Sequence, residues 1–144
     1  MANEQKKIRQ FYLRVGIVLF LFFLWYSFEN WPIRFHFPVR GKASWYSRHS
    51  PGVRERTANN EKFDDTAMTC ALWGVRFNQK VKVTNLATGE SIVVRVNDRG
   101  PHRRFVRQGR VIDLTRSAFR QIEDEKKGLV NVKVELVGDA HEDQ

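Results

Sequence analysis

The sequence predicts a mainly β protein in which a small closed barrel follows an apolar N-terminal helix. Apolar and polar residues alternate over 81–86, 91–96 and 130–136, which is the two-residue period of strands with one buried face. Only one short stretch, 115–127, has helical spacing. Long connections separate the hairpins. Together these three observations favour a closed barrel over an open sheet.

The N-terminal helix is predicted from twelve uncharged residues, Val15–Tyr26, that follow a basic segment. No Ala-x-Ala-like cleavage site comes after this run, which favours an uncleaved membrane anchor over a signal peptide. We therefore expect a cytoplasmic segment at 1–14 and a single transmembrane helix at 15–31. The domain that follows would lie outside the cytoplasm. The alternative is a buried core helix.

The barrel is expected to begin at residue 41, after a linker at 32–40. A first strand is predicted at 41–46. The next segment, 47–65, is a long polar loop, and such a loop in a compact domain is more often functional than idle. Periodicity does not decide whether 68–77 is a strand or a helical turn. A hairpin is predicted over 81–96.

Chemistry is expected at Arg95–Pro101, Arg-Val-Asn-Asp-Arg-Gly-Pro, where a strand ends on a carboxylate, a cation, a glycine and a proline. Asp98 has the same parity as the apolar Val94 and Val96. If the strand continues without a bulge, Asp98 points toward the core side of the strand end. A bulge at Asn97 would undo that inference.

The remainder of the chain predicts a basic loop at 102–109, a short buried strand at 110–114 and a short helix. Thr115 can cap this helix, and Gly128 is a plausible stop. The last strand, 130–136, buries its even-numbered residues. We expect 138–144 to be a disordered acidic tail.

The predicted barrel is strongly basic, since residues 41–137 hold 19 Lys and Arg against 11 Asp and Glu. Outside the cytoplasm this charge suits an anionic polymer or surface better than nucleic acid, so no nucleic-acid partner is expected. A nucleic-acid-binding barrel would become credible again if the apolar run were a core helix.

Cysteine and histidine usage predicts neither a disulfide nor a metal site. Cys70 is the only cysteine, and we expect a buried core thiol rather than a nucleophile. The four histidines lack the spacing of metal ligands, so no metal or other cofactor is expected. They are His36, His49, His102 and His141.

Five motifs, in order and in register, resemble the rare lipoprotein A (RlpA) family. They are Gly-Lys-Ala-Ser-Trp-Tyr at 41–46, Thr-Ala-Asn-Asn-Glu-Lys-Phe at 57–63, the strand 81–86, Val-Asn-Asp-Arg-Gly-Pro at 96–101 and Arg-Val-Ile-Asp-Leu-Thr at 110–115. The resemblance covers 41 to about 137. It implies a six-stranded double-psi β-barrel with one or two short helices, related to expansins and to family 45 glycoside hydrolases.

The same resemblance implies a peptidoglycan lytic transglycosylase whose catalytic residues are Asp98 and Glu61. Breaking a glycosidic bond requires an acid that protonates the leaving oxygen, and Asp98 is expected to act as acid and then base. Glu61 would orient the sugar or stabilise developing positive charge. The alternatives are a turn-capping role for Asp98 and a solvated loop position for Glu61. The family histidine is replaced by Leu72, which cannot hydrogen-bond a carboxylate or a sugar.

Six further residues are expected to bind the substrate: Arg99, His102, Arg103, Arg104, Tyr46 and Asn59. The cations among them suit the carboxylates of peptidoglycan stems and lactyl groups. A second carboxylate, Asp113, is expected to secure the barrel through hydrogen bonds or to neutralise Arg110.

The sequence thus favours a membrane-anchored enzyme, periplasmic or extracellular, that cuts glycan strands to give 1,6-anhydromuramoyl ends. The alternative is an expansin-like protein that grips or loosens wall glycan without cleaving it. Expected partners are peptidoglycan glycan strands and the inner membrane, with proteins of cell division or wall synthesis as candidates.

Overall fold

The computed structural model describes residues 2–29 and 33–138, in two compact units that divide between Ile33 and Arg34. The predicted disordered tail, apart from Gly138, lies outside the described residues, as do the last two residues of the predicted anchor. The linker residues Phe35 and Phe37 belong to the second unit and pack against its core.

The first unit is a single helix, α1 (Ala2–Glu29). Its segment Glu4–Ser27 is long and apolar enough to cross a membrane, although a signal sequence satisfies the same criteria. The helix begins at Ala2 and so includes the basic segment that we predict to be cytoplasmic. The apolar side chains of this segment are exposed in the structure, as an anchor or a signal sequence requires.

The second unit consists mainly of six strands. These are β1 (Val39–Tyr46), β2 (Thr69–Ala71), β3 (Lys80–Asn85), β4 (Ser91–Asp98), β5 (Arg110–Thr115) and β6 (Leu129–Val137). Between them lie two short helices, α2 (Arg103–Val106) and α3 (Arg116–Arg120), and a 3-10 turn at Glu125–Lys127.

The strands form a closed barrel in the order β1-β5-β2-β4-β3-β6. The pairs β1–β5 and β2–β4 are parallel and the other four are antiparallel. The predicted six-stranded barrel is therefore confirmed. Parallel pairs require crossover connections, which is why long loops follow β1 and β4.

The core follows the alternation read from the sequence. In β3 and β6 the buried apolar residues are Val81, Val83, Val130, Val132 and Val134, and the residues between them point outward. The largest fully buried side chains, including Phe119, Leu72 and Ile112, fill the interior. Cys70 is buried in the same cluster, as expected.

The segment 68–77, which periodicity left undecided, contains the three-residue strand β2. One local prediction is corrected. The helix after Thr115 is five residues long, and Thr115 makes no side-chain cap to it. Its hydroxyl instead donates to the carbonyl of Ala67 at 2.6 Å, so this side chain secures the preceding loop. Gly128 does end the 3-10 turn, with a φ of 67° that favours glycine.

Asn85 provides a test of the core, because it is a fully buried polar residue that joins two elements. Its side chain donates to the carbonyl of Ile122 at 2.8 Å and accepts from the amide of Ala87 at 2.9 Å. We expect Asn85→Ala to leave both groups unpaired and to lower the free energy of unfolding by about 1–3 kcal/mol. The measurement is urea unfolding monitored by near-UV circular dichroism.

The matched control is Asn131→Ala in β6, where the side chain is exposed. That variant should stay within about 0.5 kcal/mol of the unmodified protein. Equal effects of the two substitutions would contradict a structural role for the Asn85 side chain.

Candidate active site

A β-bulge at Asn97 sets the orientation of Asp98. Along the parallel pair β2–β4, Cys70 is opposite Val96 but Ala71 is opposite Asp98, so Asn97 is an extra residue in β4. Paired residues project from the same face of a sheet. Asp98 therefore lies with Ala71 on the outer face, and the expectation based on unbroken alternation is reversed.

The outer face at this end of the barrel carries a second carboxylate. Ala71 is paired with Asp113 of β5, and Asp113 is paired with Ser44 of β1. Four neighbouring strands thus contribute one outward residue each to the same surface. This register brings Asp98 and Asp113 onto one wall.

A cavity of about 610 Å³ lies over this wall. Its floor includes Ser44, Ala71, Asp98 and Asp113, and the loop after β1 forms one side. Lining residues on the other sides include Arg99, Gly100, His102, Arg104, Phe105 and Arg110. The cavity therefore combines two carboxylates with several cations, and we call it the groove.

The carboxylate of Asp98 is oriented by main-chain donors. Its Oδ1 accepts from the amide of Ala58 at 2.9 Å and from the amide of Arg99 at 2.8 Å. Its Oδ2 has no hydrogen-bond partner in the described part of the chain. One oxygen is thus fixed, and the other can interact with a ligand.

Asp113 occupies a drier position on the same wall. Burial raises the pKa of Asp113, and the nearby charge of Asp98 acts in the same direction. The hydroxyl of Ser44, which donates to Oδ1 at 2.5 Å, and the guanidinium of Arg110, at 3.7 Å, partly offset that rise in pKa. Both structural contacts expected of Asp113 are present, but its place in the groove was missed from the sequence. The signal available was its position between the apolar Ile112 and Leu114, which predicts that Asp113 points outward from the buried strand.

Tyr46, which is expected to bind the substrate, also lines the groove. Its ring packs against Phe63, with ring centroids 5.0 Å apart. Its hydroxyl is buried and has no hydrogen-bond partner within residues 2–29 and 33–138. Burial, followed by the charge of Asp98, raises the pKa of Tyr46, so the hydroxyl remains a proton donor.

Cations stack on aromatic rings along the groove. The guanidinium of Arg99 lies 3.6 Å from the ring centroid of Phe77 and donates to the carbonyl of Leu72. Its burial lowers the pKa of Arg99. The guanidinium groups of Arg104 and Arg110 lie 4.4 and 4.2 Å from the ring centroid of Phe105. These contacts hold the three cations in defined positions.

His102 lies at the start of α2. Its Nδ1 accepts from the amide of Arg104 at 3.3 Å, and its ring meets Phe105 edge to face. His102 and Arg104 therefore line the groove as predicted, whereas Arg103 is not among the lining residues.

Glu61 and Asn59 lie in the loop beside the groove and do not line it. Both oxygens of Glu61 accept from Arg95, at 2.7 and 2.8 Å, in a bidentate pair. The amides of Asn59 and Asn97 also donate to Glu61. These hydrogen bonds, chiefly those from Arg95, lower the pKa of Glu61 to about 2.

The loop that carries Glu61 also supports Asp98. The amide of Ala58 donates to Asp98, and the amide of Asn59 donates to the carbonyl of Asn97 at 3.2 Å. The ion pair of Glu61 with Arg95 of β4 fixes this loop to the strand that carries Asp98. The ion pair therefore acts on the groove by holding this loop, and with it Asp98, in position.

Leu72, which replaces the family histidine, lies in the core and is fully buried. Its amide donates to the main-chain carbonyl of Asp98 at 3.2 Å. In this chain, position 72 thus contributes packing and a main-chain hydrogen bond near the bulge. Among the described residues, no three His, Cys, Asp or Glu side chains are grouped to hold a metal ion.

Comparison with known proteins relates the chain to wall-acting enzymes. A family model described as lytic transglycolase matches residues 39–134. The chain is 47% identical over 98 residues to a probable endolytic peptidoglycan transglycosylase RlpA of Synechocystis sp.. It is 42% identical over 101 residues to the endolytic peptidoglycan transglycosylase RlpA of Vibrio cholerae. The matches cover 67% and 70% of this chain but only 28% and 36% of those relatives.

Two solved structures have the same fold. The Streptomyces papain inhibitor is 21% identical with a TM-score of 0.53, and the match covers 69% of this chain and 94% of the inhibitor. An apo expansin from Clavibacter michiganensis is 22% identical with a TM-score of 0.51, covering 69% of this chain and 50% of the expansin. Together with the family match, they confirm the predicted double-psi β-barrel.

The pKa of Glu61 predicts a specific acid sensitivity. Because its pKa falls from 4.5 to about 2 on folding, the ion pair stabilises the protein above pH 4.5 and loses that effect as the pH falls through about 2. The Glu61 side chain is 39% exposed, so solvent screening limits the effect to about 1 kcal/mol. We expect Glu61→Gln to lower the free energy of unfolding by that amount at neutral pH and by progressively less between pH 4.5 and 2.

Glu55→Gln in the same loop is the control for that measurement, because its side chain is exposed and forms no ion pair with the described residues. Urea unfolding of both variants across the pH range gives the comparison. A Glu61→Gln effect that is constant with pH would contradict the ion-pair explanation.

Proposed function

The chain belongs to the RlpA-like family of double-psi β-barrels, and from this we propose that it is a lytic transglycosylase acting on the glycan strands of peptidoglycan. The observation that carries the proposal is the placement of Asp98 and Asp113 on one wall of an open groove. The relatives named as endolytic peptidoglycan transglycosylases support the substrate. We further propose that the product has 1,6-anhydromuramoyl ends.

The reaction needs one proton donor and one proton acceptor. The bond from C1 of the muramoyl residue to the bridging oxygen breaks through an oxocarbenium-like transition state, and that oxygen receives a proton. The muramoyl 6-hydroxyl oxygen then bonds to C1 and gives its proton to a base. The anhydro ring closes without water, so no water-activating residue is required.

We assign these proton transfers to Asp98 and Asp113. Burial favours the protonated form of Asp113, which suits it to protonate the leaving oxygen. Oδ1 of Asp98 is fixed by two amides, so Oδ2 can accept the proton of the 6-hydroxyl. In this proposal Asp98 keeps the role of base, and Asp113 takes the acid role that the sequence gives to Asp98.

The other predicted site residues divide into two groups. Tyr46, Arg99, His102 and Arg104 line the groove and are proposed to bind the substrate, with the cations meeting its carboxylates. Glu61 is proposed as a positioning residue, because its ion pair with Arg95 secures the loop that donates to Asp98.

Asn59 is assigned to the positioning group, since its amide side chain donates to Glu61. Arg103 stays a prediction for substrate binding. It lies in α2 next to the groove residues His102 and Arg104.

The second candidate function is expansin-like binding of wall glycan without cleavage. Two observations favour it. Glu61, expected to assist catalysis, is engaged with Arg95 outside the groove, and position 72 contributes no imidazole. A groove with cations and an unpartnered Tyr46 hydroxyl could bind glycan even if no bond were broken.

Digestion of purified peptidoglycan by the full chain in detergent tests the enzyme. We expect anhydromuramoyl products by mass spectrometry, and Asp98→Asn and Asp113→Asn should each reduce their rate of formation at least about 100-fold. The rate should also fall as the pH rises through the raised pKa of Asp113, because the donor then loses its proton. The control is Asp124→Asn. Asp124 does not line the groove, and it caps the 3-10 turn at Glu125–Lys127, a role that Asn fills equally well.

Two results would overturn parts of this proposal. Unchanged activity in Asp98→Asn would contradict its catalytic role. Retention of glycan by the unmodified protein without any anhydromuramoyl product would favour the expansin-like alternative.

For localisation, we propose that α1 anchors the chain in the cell membrane with its N-terminus in the cytoplasm. The uncharged run within α1 and the cations before it support this orientation. The barrel would then face the periplasm or the exterior, where peptidoglycan lies. Proteins of cell division or wall synthesis stay candidate partners.

A reporter fused to the C-terminus of the full chain tests this topology. Alkaline phosphatase, which is active only outside the cytoplasm, should be active, and the N-terminal peptide should stay in the membrane fraction. Activity of a cytoplasmic reporter at the same fusion point would contradict the wall assignment. Release of a shortened protein would identify α1 as a signal peptide.

A further inference from the structure

The barrel has a second charged surface that the proposed chemistry does not use. It is the outward face of β1, β6, β3 and β4, and it carries Arg40, Lys42, Lys80, Lys82, Arg95 and Lys133. We call this surface the basic wall. Apart from Asp98, which lies beyond the bulge and lines the groove, the only carboxylate among the outward residues of these strands is Glu135.

The strand register brings like charges together on this wall. Arg40 is directly opposite Lys133 in the β1–β6 pair, and Lys80 is directly opposite Arg95 in the β3–β4 pair. Like charges in directly opposed positions destabilise a sheet. In each of these opposed pairs, one cation is offset by a carboxylate of the described residues and the other is not.

Most of the wall's charge is not neutralised by the described part of the chain. Arg95 pairs with Glu61, and Lys133 pairs with Glu135 at 2.8 Å. The four remaining cations are exposed and form no ion pair with any described residue. They are Arg40, Lys42, Lys80 and Lys82.

The barrel topology separates the β3 and β6 part of the basic wall from the groove. In the ring β1-β5-β2-β4-β3-β6, strands β5 and β2 carry groove residues, while β3 and β6 carry the wall. In a closed ring of six strands, β3 is across from β5 and β6 is across from β2. The outward face of β3 and β6 therefore points away from the side on which the groove opens.

We propose that the basic wall binds the anionic phospholipid headgroups of the membrane in which α1 is anchored. The wall is a sheet face, and none of its cations lines the groove. A surface of this shape suits an extended anionic surface better than a single polymer strand, which would need a groove. Clustered Lys and Arg near a bilayer are attracted to anionic lipids.

Chain connectivity brings the wall within reach of the membrane. Arg40 follows the end of α1 by only eleven residues in the sequence. With the wall on the lipid, the groove opens away from the membrane, toward the glycan. The inference rests on α1 as an anchor and does not depend on glycan cleavage.

Lysine footprinting of the full chain in lipid nanodiscs tests the proposal. The probe is phosphatidylglycerol, added to discs of phosphatidylcholine, and the readout is the rate of amine labelling by mass spectrometry. We expect labelling of Lys42, Lys80 and Lys82 to slow about fivefold in the anionic discs. Lys62 and Lys126, which lie off the wall, should change little. High salt should abolish the difference because it screens the headgroup charge.

Charge reversal supplies the matched variants. Lys80→Glu with Lys82→Glu should return labelling of Lys42 in anionic discs to its rate in neutral discs. The control, Lys62→Glu with Lys126→Glu, makes the same change in net charge and should preserve the protection of Lys42. Equal labelling of the wall lysines in both kinds of disc, or equal effects of the two double variants, would overturn the proposal. The readout needs no transglycosylase activity, so failure of the enzyme test would leave it standing.

Discussion

The bulge at Asn97 is the constraint on which the rest of the site depends. It shifts the parallel pairing of β2 with β4 by one residue, so Val96 stays in the core while Asp98 turns to the outer face. Without the shift, a carboxylate would point into an apolar interior that offers it no partner, at a large cost in free energy. The same shift aligns Asp98 with Ala71 and, through β2, with Asp113. The bulge thus places Asp98, at the end of β4, on the same wall as Asp113.

The bulge is held by a loop distant in sequence. Main-chain amides of Ala58 and Asn59 donate to Asp98 and Asn97, and the bidentate pair of Glu61 with Arg95 ties the loop to β4. Asn97 also donates to Glu61, so the bulged residue itself joins this network. Glu61 and Asp98 are therefore linked by structure as well as by the motif pattern. The proposed roles differ, because one carboxylate faces the groove and the other supports the loop.

Closure of the barrel gives its surface two electrostatic sides. On the groove side, cations are stacked on Phe77 and Phe105 beside carboxylates, an arrangement that suits a ligand with both hydroxyl and carboxylate groups. On the opposite side, cations stand on a sheet face with little compensating charge. The excess of Lys and Arg over Asp and Glu is thus divided between cations that line the groove and cations that form the basic wall. Strands β1 and β4 each contribute to both sides. Lys42 and Arg95 belong to the basic wall, whereas Ser44 and Asp98 line the groove.

The sequence by itself determined the strand content, the inward residues of β3 and β6, the buried Cys70 and the family, because alternation and ordered motifs depend on local periods and spacings. It also identified five of the groove residues: Asp98, Arg99, His102, Arg104 and Tyr46. Only the tertiary structure decided that Asp113 joins them, that Glu61 turns to Arg95, and that Leu72 fills the core. Those outcomes depend on which strands become neighbours and in what register. Register is set by barrel closure and by bulges in the β1–β5 and β2–β4 pairs, so a period-two pattern along one strand does not reveal it.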